Sequence, residues 1–193
     1  MFEMPPGATP LSAEDEEGLI PNLATKADLN EFEAVNIAIA AGWAAGARRL
    51  KKDFPNVSAL MLLHKRMFDK TWRWAGKFRR VNTNIGIDWQ YIPPELHNLC
   101  ENVRAQLHYK SYPLDEIATR FHHELVAIHP FPNGNGRHAR FAADILLGQH
   151  GGVPFSWGRD SLIVAGDTRR AYIHALQQAD AGLIEPLLAF VRS

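Results

Sequence analysis

The sequence has almost no cysteine and no excess of charge of either sign. Its 193 residues include a single cysteine, Cys100, which excludes an internal disulfide and favours a reducing compartment. Lysine and arginine together number 21, as do aspartate and glutamate, so the formal net charge is zero. A protein that binds nucleic acid through a large basic face carries a clear positive surplus. Nucleic acid is therefore not an expected partner.

Long hydrophobic runs are also missing. No stretch approaches the roughly 18 consecutive apolar residues that a membrane span needs. The N-terminal residues, MFEMPP, carry neither the basic region nor the apolar region of a secretory signal peptide. We therefore expect a cytoplasmic protein with no membrane partner. An apolar share of 46% and ten phenylalanines suffice for a hydrophobic core, and the length fits one domain.

The N-terminal segment differs in composition from the rest of the chain. It combines a run of four acidic residues, at 14–17, with four prolines: Pro5, Pro6, Pro10 and Pro21. This composition predicts an irregular arm over residues 1–22 that lies on the surface or reaches to a partner. The remaining residues, 23–193, are expected to form one domain.

Most of that domain has the periodicity of helices. Apolar residues recur at helical spacing in about seven segments, the first of which covers residues 25–47 and begins with a capping-box pattern at Thr25 and Asp28. Between Lys77 and Ile92 the apolar residues fall at strand-like intervals, which predicts a short β-hairpin or extended flap. The expected fold is all-α, with about seven helices and one hairpin flap.

Residues 129–140, which read HPFPNGNGRHAR, lie between two of these predicted helices. Gly134 and Gly136 lack a Cβ atom, so the backbone can adopt positive φ and approach a phosphate closely. Asn135 tolerates the left-handed conformation and can offer its amide as a further donor. The N-terminus of the following helix favours phosphate through its N–H groups and its dipole. The segment is therefore predicted to be an anion-binding loop.

Charged and titratable side chains accompany this loop. Arg137 and Arg140 are one helical turn apart, a spacing that can grip successive phosphates of one nucleotide. His129 precedes the loop, and its unperturbed pKa near 6.5 suits it to accept a hydroxyl proton. A phosphate grip beside a base is typical of phosphoryl or nucleotidyl transfer. A rival interpretation is a metal-dependent hydrolase built on residues 122–124 and His129, although the sequence contains no HExxH pair.

The whole loop resembles the signature of the Fic (Fido) domain family, HxFx(D/E)GNGRxxR. Three other segments are also similar to the family: residues 63–68 (LHKRMF), residues 74–79 (WAGKFR) and the stretch from residue 170 to residue 187. The resemblance covers residues 25–192. The variant HPFPNGNGRH and residues 82–89 (NTNIGIDW) are similar to the branch called mobile mystery protein B.

The resemblance implies transfer of AMP from ATP, with Mg²⁺, to a Ser, Thr or Tyr hydroxyl of a target protein. In that reaction His129 would deprotonate the hydroxyl. Arg137 would bind the nucleotide phosphates and Arg140 would reach the γ-phosphate. The backbone groups that hold the transferred and neighbouring phosphates would be those of Gly134, Asn135 and Gly136. The flap residues that pair with an extended segment of the target would be Ile85, Gly86, Ile87 and Trp89.

One position departs from the family signature. Where most active relatives have an acidic residue that holds Mg²⁺, this chain has Asn133. A neutral amide oxygen can ligate Mg²⁺ but lacks the charge that secures it. The alternative to an active transferase is therefore a weak or inactive Fic-fold module that binds nucleotide or a partner.

Many relatives also carry an inhibitory glutamate on a helix, which pairs with the arginine that matches Arg140. No segment here fits their inhibitory pattern, but the helix over residues 25–47 precedes the core as such a helix would. Glu33 is the first candidate and Glu31 the second. The chain is toxin-like in this respect, and an antitoxin-like inhibitory protein is a possible partner. A homo-oligomer is also possible.

Overall fold

A computed structural model describes residues 12–47, 50, 54–159 and 166–193. In this part of the chain the secondary structure is almost entirely helical, which confirms the predicted all-α class. The helices are α1 (Ala13–Glu16), α2 (Lys26–Gly46), α3 (Val57–Phe68), α4 (Ile92–Tyr109), α5 (Leu114–Ile128), α6 (Asn135–Gln149), α7 (Asp167–Asp180) and α8 (Glu185–Val191). None of these described helices is long and apolar enough to cross a membrane.

Local chemistry explains where α2 begins. The hydroxyl of Thr25 accepts a hydrogen bond from the N–H of Asp28 at 3.1 Å, and the Asp28 carboxylate accepts one from the N–H of Thr25 at 2.9 Å. This reciprocal pair satisfies two N–H groups that the helix itself leaves without partners. The predicted capping box is therefore confirmed.

The helices pack around a hydrophobic core that runs through α5 and α6. These two helices form the central pair, α4 packs on α5, α2 packs on α3, and α7 packs on α8. Phe68, Phe121 and Phe131 are fully buried in this core. Because residues 129–134 connect the two central helices, the predicted anion-binding loop is held from both sides by buried structure.

The flap does not form the predicted β-hairpin. Residues 77–88 form an irregular loop that ends in a 3₁₀ turn, Trp89–Tyr91, and the one β-bridge in the described residues joins Leu19 and Trp72 elsewhere. The apolar alternation predicted burial only in part, since Ile85 and Ile87 are half-buried whereas Val81, Trp89 and Tyr91 are exposed. The carbonyl groups of Val81 and Ile87 accept hydrogen bonds from the side chain of Arg79 instead of from a partner strand.

The described part of the N-terminal arm contains one helical turn and contacts the segment between α3 and the flap. The N–H of Ile20 donates to the carbonyl of Thr71 at 2.8 Å, and the N–H of Arg73 donates to the carbonyl of Gly18 at 2.9 Å. The indole N–H of Trp74 donates to the Asp15 carbonyl at 3.0 Å. The prediction of an irregular arm therefore misses α1, and residues 1–11 of that arm lie outside the described residues.

Candidate active site

The loop between α5 and α6 begins and ends with left-handed backbone. His129 has φ of 54° and ψ of 60° at the end of α5, and Gly134 has φ of 78° where α6 begins. A Cβ atom on Gly134 would lie 2.6 Å from Cζ of Phe68. Glycine is therefore required at position 134 both by the backbone conformation and by the close approach of a buried ring.

His129 is buried and held in one tautomer. Its side chain lies within hydrogen-bond distance of a carbonyl, with Nδ1 at 3.3 Å from the oxygen of Val126. A carbonyl can only accept, so the ring proton is on Nδ1 and Nε2 is the basic nitrogen. Burial lowers the pKa of His129 to about 4, so the imidazole is neutral at pH 7. A neutral imidazole in a fixed tautomer is what proton abstraction requires.

The two positions after Gly134 serve different purposes. The Asn135 side chain accepts from the N–H of Phe131 at 2.9 Å and donates to the Phe131 carbonyl at 2.7 Å. One N–H of this amide therefore holds the loop together, and its role as a further phosphate donor stays a prediction. Gly136 lies inside α6 without positive φ, and a Cβ atom there would meet only the Arg140 side chain, at 3.8 Å. Since neither strain nor packing requires glycine at position 136, close approach of a ligand is the remaining physical reason for it.

His64 was not predicted as a site residue, and its side chain packs against the loop. Its Nδ1 accepts from the N–H of Gly76 at 3.0 Å, so Nε2 carries the proton and donates to the Asn133 carbonyl at 3.0 Å. The imidazole also stacks on Phe131, with ring centroids 3.7 Å apart. Burial lowers the pKa of His64 well below its ordinary value, which keeps the ring neutral. The only sequence signal was its place in the family-like segment 63–68.

Asn133 offers a poor site for Mg²⁺. Its side-chain oxygen accepts from the N–H of Gly134 at 2.6 Å, so this potential ligand already has a partner. Among the described residues there is no group of three or more His, Cys, Asp or Glu side chains that could hold a metal ion. Mg²⁺ is usually held by at least one carboxylate in addition to substrate phosphates. The residues of this loop therefore do not fit the metal.

Glu33 reaches the loop from α2. Its carboxylate accepts from Nη1 of Arg137 at 2.6 Å through one oxygen and from the Trp72 indole N–H at 2.7 Å through the other. Glu33 is only 2% exposed, whereas Glu31 is exposed to solvent. The resemblance implied a glutamate opposite Arg140, and the observed partner is Arg137 instead.

Arg140 is turned towards α7. Its guanidinium lies over the ring of Tyr172, with Cζ 5.6 Å from the ring centroid. The Tyr172 hydroxyl is 3.0 Å from Nε2 of His122. Burial, followed by the charge of Arg140, lowers the pKa of His122 to about 3, so the ring is neutral at pH 7. Arg140 therefore contacts Tyr172 and not Glu33. The sequence does not predict this contact, because the two residues are 32 positions apart.

The site as a whole is electropositive. Burial, followed by the charges of Arg140 and then Arg137, lowers the pKa of Arg169. Burial lowers the pKa of Lys26 too, and the charge of Arg137 adds to this effect while that of Glu33 opposes it. These cations and the N–H groups at the start of α6 favour a ligand that carries several negative charges.

The rival hydrolase interpretation finds no support in this geometry. His122 contacts Tyr172, whereas Nε2 of His123 donates a hydrogen bond to the Asp180 carboxylate at 2.8 Å. The two side chains therefore have different neighbours, and neither joins His129 in a ligand cluster among the described residues.

Comparisons with known proteins identify the family and the fold of the chain. Residues 54–147 match the model of the Fic/DOC family. The protein adenylyltransferase Fic of Culex quinquefasciatus is 30% identical over 149 residues, which are 73% of this chain and 28% of that protein. The chain thus spans less than a third of the length of this curated relative.

Two solved structures share the fold over nearly the whole chain. The N-terminal Fic domain of a putative cell filamentation protein from Bartonella quintana, with bound ADP, has a TM-score of 0.67 at 19% identity, covering 92% of this chain and 94% of its own. The BepC protein of Bartonella tribocorum, with bound AMPPNP, has a TM-score of 0.63 at 22% identity, covering 94% and 97%.

Proposed function

Because the chain belongs to the Fic/DOC family, we propose that it is a protein adenylyltransferase that moves AMP from ATP to a hydroxyl group of a target protein. One observation carries the proposal: a buried, neutral His129 directly precedes a loop that opens into the N-terminus of α6. The relative named protein adenylyltransferase and the Fic structures with bound ADP or AMPPNP also support it.

The reaction is a substitution at the α-phosphorus of ATP. His129 Nε2 accepts the proton of a Ser, Thr or Tyr hydroxyl, whose oxygen bonds to the α-phosphorus as the bond to the bridging oxygen breaks and pyrophosphate leaves. The backbone N–H groups of Asn135 and Gly136 would bind the phosphates, and that of Gly134 would join them once it leaves the Asn133 side chain. Arg137 balances the charge that develops there. Mg²⁺ stays a prediction from the resemblance.

Arg140 and the flap define the two outer parts of the site. We assign Arg140 to the γ-phosphate, held in place by Tyr172. The target would present an extended segment that pairs with the flap by strand addition at Ile85, Gly86, Ile87 and Trp89. A Cβ atom on Gly86 would lie 2.6 Å from the Cβ atom of His129, so a segment on this flap brings its hydroxyl close to the base.

Glu33 gives this transferase an inhibited resting state. Its carboxylate accepts a hydrogen bond from the guanidinium of Arg137, which the nucleotide phosphates would otherwise bind. ATP must therefore displace Glu33 before the phosphates reach Arg137. Glu31 faces solvent and has no comparable contact with the loop. An antitoxin-like partner, a cytoplasmic location, a homo-oligomer and the closer kinship with mobile mystery protein B stay predictions.

A second candidate function rests on Asn133. Because this residue lacks the charge of the usual acid and its side-chain oxygen already binds Gly134 N–H, a Fic-fold module that binds nucleotide without transferring it is the alternative. Such a module would differ from a transferase in binding nucleotide without forming a covalent product.

Incubation with ATP labelled on the α- or the γ-phosphate separates these functions, with the wild type and His129→Ala compared. Adenylyl transfer predicts α-label on protein in the wild type and none in His129→Ala. Transfer of γ-label would identify a kinase instead. Nucleotide binding with no label transferred, under conditions that release Glu33, would favour the binding module.

A further inference from the structure

Arg79 is a buried arginine whose guanidinium contacts main-chain carbonyls. Nε donates to the carbonyl of His129 at 2.7 Å, and Nη2 is 3.4 Å from that of Ile128. Toward the flap, Nη1 donates to the Val81 carbonyl at 2.8 Å and Nη2 to the Ile87 carbonyl at 2.5 Å. The side chain is 2% exposed, so these contacts replace the water that a guanidinium would otherwise bind.

The carbonyls on one side belong to the end of α5. Ile128 is the last residue of this helix, and His129 follows it in left-handed conformation. The C-terminus of a helix carries partial negative charge, which favours a cation. The N–H of Arg79 also donates to the Pro130 carbonyl at 3.0 Å. Arg79 therefore holds three consecutive residues of the chain at the candidate base.

The carbonyls on the other side belong to the two ends of the flap loop. Val81 and Ile87 bracket residues 82–86, and the fork of one guanidinium binds both. The flap has no strand pairing of its own. Within it, the side chain of Thr83 donates to the Ile85 carbonyl, and the N–H of Trp89 donates to the Asn82 side chain. These contacts are local, whereas Arg79 links the two ends of the loop to the end of α5.

Gly86 shows how closely the flap lies against the base. It has φ of 109°, and an added Cβ atom would lie 2.6 Å from Cβ of His129 and 2.8 Å from Nη2 of Arg79. Gly86, Arg79 and His129 are therefore packed so closely that no side-chain atom fits between them. A shift of the flap must move Arg79 and, through the His129 carbonyl, the backbone that carries the imidazole.

We propose that Arg79 is a positioning residue that ties the target-docking flap to the general base, so that a docked hydroxyl meets His129 at a fixed distance. The proposal rests on the proposed adenylyl transfer. Arg79 touches neither ATP nor the target and acts through the carbonyl groups of His129, Val81 and Ile87. Lysine cannot replace it, because a single ammonium group lacks the planar fork that reaches both sides.

The test compares Arg79→Lys with Arg80→Lys, its exposed neighbour. Self-modification is measured with α-labelled ATP over a range of ATP concentrations, in a background where Glu33→Gln releases Arg137. We expect Arg79→Lys to lower the rate at saturating ATP at least tenfold. The half-saturating ATP concentration should stay within threefold, since the phosphate loop is untouched. Arg80→Lys should match its parent.

Hydrogen exchange of the flap amides keeps the proposal testable apart from activity. In Arg79→Lys, exchange at residues 80–88 should rise at least tenfold, while amides in the middle of α5 and α6 stay protected. If the parent protein transfers no label, the proposed function fails, and the exchange result still decides whether Arg79 holds the flap. Unchanged flap exchange would overturn the tether, and a rise throughout the protein would assign Arg79 a general structural role instead.

Gly86→Ala perturbs the same junction from the flap side while keeping Arg79. The added methyl group must displace the flap from His129, so this variant should show the same loss of rate with ATP saturation preserved. A Gly86→Ala protein that folds and retains the parent rate would contradict the proposal, as would equal losses in Arg79→Lys and Arg80→Lys.

Discussion

Glu33→Gln removes the charge that faces Arg137 and changes little else. Glutamine keeps the volume of the side chain and an oxygen that can accept from the Trp72 indole N–H, now 2.7 Å from Glu33. The Glu33 side chain is 3% exposed and that of Arg137 is 18% exposed, so water screens their contact only weakly. In the wild type, ATP must separate this pair before its phosphates reach Arg137.

The size of the effect follows from the burial of the pair. Leaving one partner of a buried ion pair without the other costs about 3–5 kcal/mol, and ATP that displaces Glu33 leaves its carboxylate in that state. The partial exposure of the pair at Arg137 favours the lower end of that range. Each 1.4 kcal/mol corresponds to a factor of about ten in affinity. Removing the Glu33 charge should therefore tighten ATP binding by about 100-fold, with self-modification rising in parallel at low ATP.

Titration calorimetry with ATP measures this directly, and Glu31→Gln is the matched control. Glu31 lies two residues earlier on the same helix and is exposed, so its substitution removes an equal charge without touching Arg137. The Glu31→Gln protein should bind ATP within about twofold of the wild type. The reasoning fails if Glu33→Gln binds ATP no more tightly than the wild type, or if both variants gain equally.

Four further results are expected. Asn133→Asp should tighten Mg²⁺ binding in the presence of ATP by about tenfold in a metal titration, because it restores a charged ligand; an unchanged titration would place the metal elsewhere. The transfer rate should stay level from pH 8 to about 5 and fall through the His129 pKa of about 4, as the base gains a proton; a midpoint near 6.5 would contradict the burial effect. The pKa values of His122, about 3, and His129, about 4, lie below the unfolded value near 6.5, so the unfolded chain binds more protons and stability falls as pH drops below 6.5. At pH 5 the loss is about 2 kcal/mol per histidine, measurable as a lower melting temperature than at pH 7. Tyr172→Leu should weaken ATP binding about fivefold, because it removes the ring over which Arg140 lies, and should also lower the melting temperature, because buried His122 loses the hydroxyl beside it; equal ATP affinity would remove Tyr172 from the site.

Short-range patterns carried most of the fold. The capping box of Thr25 and Asp28 and the helical periodicity depend on residues three or four positions apart, so both are visible in the sequence. The loop of residues 129–140 was likewise predictable as a unit, because His129, Gly134 and the first residue of α6 lie within one short segment of the sequence. The resemblance to a known family then supplied the reaction.

Contacts between distant residues could not be predicted. Glu33 and Arg137 are 104 positions apart, and no local pattern shows that the glutamate meets the first arginine of the loop. The flap was misread for a related reason. Alternating apolar residues favour a strand, but Val81 and Ile87 use their carbonyls to bind Arg79, and only the packed structure reveals that competitor. Arg79 and His64 bind main-chain carbonyl groups, and the sequence does not show which carbonyl groups a side chain will meet.

Intact-mass spectrometry of the Glu33→Gln protein after incubation with ATP is the decisive measurement for adenylyl transfer by His129. We expect a mass gain equal to one adenylyl group, and this gain should be lost when His129→Ala is added. A gain equal to a phosphoryl group, or an adenylyl gain that survives His129→Ala, would contradict His129 as the base of an adenylyl transfer. An unmodified protein that still binds ATP would contradict the transferase itself.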